Sequence, residues 1–284
     1  MNKNVLKIII SLFLIALIVV FIFPKSKSVI KTLPIVNLLP VSTPQPTPKI
    51  LKMIDQYVAP TIKNKESPTI IFLGDSMTEA LGENFDFLRK DLEKYYPKKV
   101  FGLFNYGFGS TNILSAKERL QKDTTYSGKN FQAILNRYFD IILIESFGTN
   151  PLSEFPLAQG LQKQTEALDQ IVAELVDTHP DSLIVFVATV APSSSYGKGV
   201  VNLSPQVRIQ WANERRAYIE NHISYAKKHN IPLINVYEKT LDKNGLTINK
   251  YINSGNYIHP SVAGVSLISQ TIADYLYKNK ILLN

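Results

Sequence analysis

The chain has no cysteine, which excludes disulfides, thiolate metal sites and a cysteine nucleophile. Its first fifty residues carry no acidic side chain, although they hold six of the 31 basic ones. The other 25 basic residues face 23 acidic ones, so the formal charge of +8 belongs largely to the N-terminal end, where it suits anionic lipid headgroups. No basic, aromatic-interleaved stripe follows, and nucleic acid is not an expected partner. Histidine is scarce, with four residues, and no internal repeat is present.

What is present begins with an apolar run. Val5 to Phe23 is interrupted only by Lys7 and Ser11 and is long enough to span a bilayer as a helix. It ends in Phe21-Ile22-Phe23-Pro24-Lys25, bulky and then basic, so it reads as an uncleaved signal anchor in preference to a cleavable signal peptide. The organisation expected is a transmembrane helix within 1–24, a Pro/Thr-rich linker over 25–50 and one domain over 51–284. Residues 40–49 form a semi-rigid, proline-rich spacer. Lysines flank both ends of the apolar run, so the positive-inside rule does not orient it. The short N-terminal tail ahead of a large domain favours a membrane-anchored protein with its domain outside the cytoplasm. A domain of about 230 residues can bury a full core without disulfides.

Within the domain, short apolar runs alternate with amphipathic stretches. Strands are predicted at 69–73, 100–105, 141–145, 183–189 and 233–236. Helices are predicted at about 78–95, 111–122, 130–138, 159–178, 205–229 and 261–277. This alternation predicts an α/β fold with a parallel sheet covered on both faces. Right-handed crossovers bring the C-terminal ends of all its strands to one edge. Residues far apart in sequence then meet there: Gly74-Asp75-Ser76, Asn105-Tyr106-Gly107-Phe108-Gly109-Ser110, Ser146-Phe147-Gly148-Thr149-Asn150-Pro151, Val190-Ala191-Pro192 and, ahead of the last helix, Gly255-Asn256-Tyr257-Ile258-His259-Pro260.

These segments carry what acyl transfer needs. Ser76 is a nucleophile if His259 takes its proton; the competing reading makes it a helix cap. The oxyanion formed on attack needs donors already in place, and the N–H of Ser76, the N–H of Gly107 and the side-chain amide of Asn150 are the candidates. Glycine at 107 also lets the backbone approach a substrate closely. His179 sits at a helix end, and His222 and His229 fall on a predicted surface helix among Arg215, Arg216, Lys227 and Lys228, so these three read as structural or solvated. Trp211 and the fourteen tyrosines read as packing. The loop Pro192–Gly199 is predicted to be flexible and to lie on the active edge.

Gly74-Asp75-Ser76-Met77, Gly107, Gly148-Thr149-Asn150 and His259-Pro260, in this order, resemble the four blocks of the SGNH (GDSL) hydrolase family, over about residues 66–280. The resemblance implies a flavodoxin-like, three-layer α/β/α sandwich around five parallel strands. It implies hydrolysis of ester or O-acyl bonds, with no metal and no cofactor. The family pattern departs at two places. Pro151 stands where an aspartate often follows the block asparagine, and Asn256 stands where an aspartate three residues before the histidine is usual. The Asn256 amide oxygen can accept the Nδ1–H of His259 but cannot stabilise an imidazolium as a carboxylate does. In a serine-protease triad the Asp→Asn change costs about 10⁴ in turnover. Glu145 and Glu238 are the candidate substitutes for that carboxylate.

The leading expectation is a membrane-anchored serine esterase with Ser76, His259 and Asn256 as its catalytic set, acting on acylated small molecules or carbohydrate of the cell envelope. Three alternatives stand beside it: acyl transfer to a sugar hydroxyl, glycan binding by a catalytically weakened domain, and a flavin-phosphate cradle, which would leave His259 and Asn150 without roles.

Overall fold

The computed structural model describes residues 48–283 apart from Gln56. They fall in the second of two units into which the chain divides after Thr43. The expected membrane helix over Val5–Phe23 and most of the linker lie outside the described residues. Among the described residues no helix is long and apolar enough to cross a membrane.

Five strands form one parallel sheet in the order β2-β1-β5-β6-β7: β1 (Thr69–Gly74), β2 (Gly102–Gly107), β5 (Ile141–Glu145), β6 (Leu183–Ala188) and β7 (Leu233–Asn235). The three central strands read TIIFLG, IILIE and LIVFVA, near-continuous apolar runs, because both faces are covered. Ile71, Leu73, Ile142, Ile144, Ile184 and Phe186 face one core. That core is closed by α1 (Pro48–Asp55), α4 (Ile113–Gln121), α5 (Leu157–Thr178) and α6 (Pro205–Lys228). The alternate residues Ile70, Phe72, Ile141, Leu143, Leu183 and Val185 face a second core under α3 (Asp86–Tyr95), α7 (Val236–Lys239) and α8 (Val262–Lys278). The three-layer α/β/α architecture is therefore as expected from the sequence.

Strand order reverses between β1 and β5, since the chain runs outward from β1 to β2 and then returns to the other side of β1. Such a switch point opens a crevice at the C-terminal strand ends, where open α/β sheets bind ligands.

Three local expectations fail. The predicted 78–95 helix is two helices, α2 (Ser76–Glu79) and α3, because Gly82 (φ 81°) and Phe85 (φ 53°) take left-handed conformations between them. The predicted 130–138 helix is absent. Lys129–Phe131 (β4) pairs back on Thr124–Tyr126 (β3) through a two-residue turn, Ser127-Gly128, with φ of 48° and 75°, the positive pair that tight hairpins require. The third concerns α1, which begins at Pro48, two residues inside the expected spacer; proline suits a first helical turn, where its missing N–H has no partner to lose.

Candidate active site

β1 ends at Gly74, and α2 folds straight back over its end. A Cβ at 74 would lie 2.0 Å from Thr78 Oγ1 and 2.8 Å from Glu145 Cβ, so only glycine allows this turn. Asp75 is fully buried and is the residue that caps α2: its Oδ1 accepts from the Met77 N–H at 2.8 Å. Ser76 is then the first residue of the helix and half-buried, with its N–H among the orphan donors of a helix start. The cap is therefore Asp75, and Ser76 is left free. Among the described residues neither the N–H nor the Oγ of Ser76 has a hydrogen-bond partner.

Asn150 leaves the turn after β5, where Phe147 (φ 53°) takes a left-handed conformation. Its Nδ2 donates to Asp75 Oδ2 at 3.0 Å. A side-chain amide has two N–H bonds, so one is held by the buried carboxylate and the other is left for an oxyanion. Ser76 and Asn150 are thus tied together through Asp75.

Gly107 does not fill its expected role. Its N–H donates to Asn105 Oδ1 at 2.9 Å, and Asn105 Nδ2 bonds the carbonyls of Thr78 and Gly82. A Cβ at 107 would stand 2.3 Å from the Glu79 backbone nitrogen. The glycine is required by the close approach of α2 to the end of β2, and its N–H is consumed in fastening the two. Two residues on, the Gly109 N–H donates to the Tyr126 hydroxyl at 2.8 Å.

Beneath these groups lies a charge cluster that the sequence did not disclose. Glu145 is buried, with Oε2 accepting from the Asp75 N–H at 3.3 Å and Oε1 from the Ser146 hydroxyl at 2.7 Å. Burial, and then the charge of Asp75, raise its pKa well above the carboxylate range. Burial also raises Asp75, against the hydrogen bonds from Met77 and Asn150 and the charge of Arg119. Arg119, 2% exposed, donates to the carbonyls of Gly74 and Tyr106 and lies over the rings of Phe108 and Phe147. Burial takes its pKa down to about 10, opposed by Asp75 and Glu145. Its sequence signal is an arginine sharing a helix face with Ala116 and Leu120, both fully buried.

His259 lies in the loop between Ile252 and Pro260, which pair as an antiparallel bridge. Asn256 touches its ring as expected, with the opposite end of the amide. Asn256 Oδ1 accepts from the backbone N–H of Ile258 (2.9 Å) and of His259 (3.1 Å), and Nδ2 faces His259 Nδ1 at 3.1 Å. Neither candidate carboxylate substitutes: Glu145 is engaged with Asp75 and Ser146, and Glu238 is exposed, with no bond to the ring. Among the described residues Ser76 and His259 are not hydrogen-bonded to each other. Such contacts often tighten only when substrate binds.

The other histidines are structural, but two are not solvated. His222 and His229 are buried, 0% and 5% exposed, because the inward face of α6 carries Ala212, Arg215, Ile219, His222 and Ala226 at helical spacing. Burial takes His222 down to about 3. His179 lies at a helix end, stacked on Phe139. The Pro192–Gly199 loop is fastened along its length: the Tyr196 hydroxyl donates to the Thr149 carbonyl at 3.4 Å, Ser193 donates to Asn249 Oδ1, and the carbonyls of Pro192 and Tyr196 accept from the Thr247 hydroxyl and from Arg208. Among the described residues no three His, Asp or Glu side chains group as metal ligands.

The profile of the GDSL-like lipase/acylhydrolase family matches residues 72–267. A search of curated protein sequences finds no match. Among solved structures, the lipase/acylhydrolase from Enterococcus faecalis is similar with a TM-score of 0.53 at 16% identity, over 75% of this chain and 96% of that one. A GDSL-like lipase from Bacteroides thetaiotaomicron gives 0.51 at 14%, over 81% and 97%. A variant of an acetyl-xylooligosaccharide esterase from Geobacillus gives 0.50 at 16%, over 76% and 96%. At such identities these likenesses establish the fold, while the family match spans more than two-thirds of the chain. The chain belongs to the GDSL-like lipase/acylhydrolase family and is a carboxylic ester hydrolase.

Proposed function

We propose that the protein cleaves O-acyl esters, O-acetyl groups foremost, through an acyl-enzyme on Ser76. The observation that carries this reading is a serine with an unbonded N–H at a helix start, next to an asparagine amide pinned by the same buried Asp75. Ser76 Oγ attacks the ester carbonyl and gives its proton to a base. The carbonyl oxygen gains the electron pair and is met by the Ser76 N–H and the free N–H of Asn150. Collapse expels the alcohol, which takes the proton back from that base. Water then repeats the sequence on the acyl-serine and releases the acid.

The substrate class we assign is acylated carbohydrate of the cell envelope. The fold shared with an acetyl-xylooligosaccharide esterase supports a sugar ester. The basic, apolar N-terminal stretch supports tethering at a membrane with the domain outside the cytoplasm. Asn256 favours one second reading, a weakened hydrolase that binds such glycans with little turnover.

The test is hydrolysis of p-nitrophenyl acetate and of acetylated xylo-oligosaccharides, with fluorophosphonate labelling, by the parent and by Ser76→Ala. Label on Ser76 and loss of hydrolysis in the variant are expected. Hydrolysis that survives Ser76→Ala would remove the serine from the reaction.

A further inference from the structure

Resting on the acyl-enzyme at Ser76 proposed above, we infer that Asn256 holds His259 in the tautomer that carries its proton on Nε2. Asn256 is thus a positioning residue that restrains the hydrolase at neutral pH. The amide orientation is dictated by its surroundings. Its Oδ1 accepts two backbone N–H groups, of Ile258 and of His259 itself. Turning the amide over would set its NH₂ against both donors and leave them unpaired. The end facing the ring is therefore Nδ2, a donor without a lone pair to offer, at 3.1 Å from Nδ1. Nδ1 accepts, and a neutral imidazole that accepts at Nδ1 has its hydrogen on Nε2.

The consequence falls on the proton of Ser76. When Oγ bonds to the acyl carbon and the carbonyl pair moves to oxygen, the Oγ proton needs a lone pair. In the Nε2–H tautomer Nε2 has none to give. Protonating both nitrogens would set an Nδ1–H against the Asn256 N–H. In the parent the remaining acceptor is hydroxide from solvent, which becomes water. An aspartate at 256 would keep one oxygen on the two backbone donors and turn the other, an acceptor, to Nδ1, so the hydrogen would move to Nδ1 and free Nε2. The titratable groups on neighbouring elements do not take over this task. Asp75 and Glu145 are bonded to Asn150 and Ser146, Asp86 of α3 and Lys250 line the hollow behind Pro260, and none of these, nor Tyr257, hydrogen-bonds to the ring.

Two measurements test this on the full chain. Proton–nitrogen NMR of the isotope-labelled imidazole at neutral pH should show His259 protonated at Nε2 and bare at Nδ1; the reverse would overturn the inference. With p-nitrophenyl acetate, kcat/KM of the parent should climb about tenfold per pH unit above neutrality. Asn256→Asp should raise it at neutral pH by about 10³–10⁴ and give a plateau set by a free base, the converse of the loss in serine proteases. A parent already on a plateau at neutral pH, or a gain under about tenfold in Asn256→Asp, would overturn it. The NMR result stands apart from Ser76→Ala, so a failure of the serine mechanism and a failure of the tautomer assignment are distinguishable.

Discussion

Ser76 leaves a strand paired on both sides, with β2 and β5, and stands above side chains drawn from β5, α4, the β1–α2 junction and the turn after β5. His259 leaves a loop that closes on itself, through the Ile252–Pro260 bridge and the bonds of Asn253 and Asn256. The nucleophile end is a long-range construction: Asp75, Glu145 and Arg119 lie 45 residues or more from one of their partners in sequence and meet only in the fold. The histidine end is short-range, and its geometry is set within a few residues. Changes at the first place should threaten the fold. At the second, exchanging one oxygen for an NH₂ alters the chemistry while the backbone bonds of the loop persist. A hydrolase site can thus lose its base without losing its shape.

The largest effect expected from this contrast is on stability. Arg119→Met leaves the Gly74 and Tyr106 carbonyls short of a donor and strips a cation from beside two buried carboxyls. It should cost about 3–5 kcal/mol, the range for breaking a buried charge cluster, read from urea denaturation. A cost under about 1 kcal/mol would mean that the nucleophile end is no more cooperative than a surface. Asn150→Ala should act nearly as strongly on the chemistry and much less on the fold. Losing one oxyanion donor lowers kcat by about 10²–10³ (about 2.7–4 kcal/mol), with KM for p-nitrophenyl acetate little moved. An unchanged kcat would take Asn150 out of the oxyanion site. The smallest effect belongs to the histidine end. Ser261 caps α8 by accepting from the Gly264 N–H at 3.1 Å, and its own hydroxyl donates to the Lys250 carbonyl. Ser261→Ala should cost about 1 kcal/mol in thermal or urea unfolding. A loss as large as that of Arg119→Met would erase the distinction between the two ends.

The strands were legible because both-face burial leaves unmistakable apolar runs, and their ends located Ser76, Asn150 and His259. The β3–β4 hairpin was not, because Ser127-Gly128 forms its turn only when the flanking triplets pair. The sequence presents His222 as solvated, because a helix with charges on most turns hides which face packs, and helical phase relative to the sheet decides it. Gly107 looks like an open donor in the sequence, which does not show that Asn105, two residues away, turns its side chain onto it.

By itself the sequence determined that a serine follows a buried strand and a glycine turn, that an asparagine and a histidine end other segments on the same edge, and that position 256 has no carboxylate. These follow from local hydrophobicity and residue chemistry. Only the tertiary structure decided which donors are free, that Asp75 joins Ser76 to Asn150, and which end of the Asn256 amide meets His259. The reason is physical: an N–H is available, or an amide oriented, according to every acceptor and donor within its reach. In a folded chain those neighbours are set by packing as much as by sequence order.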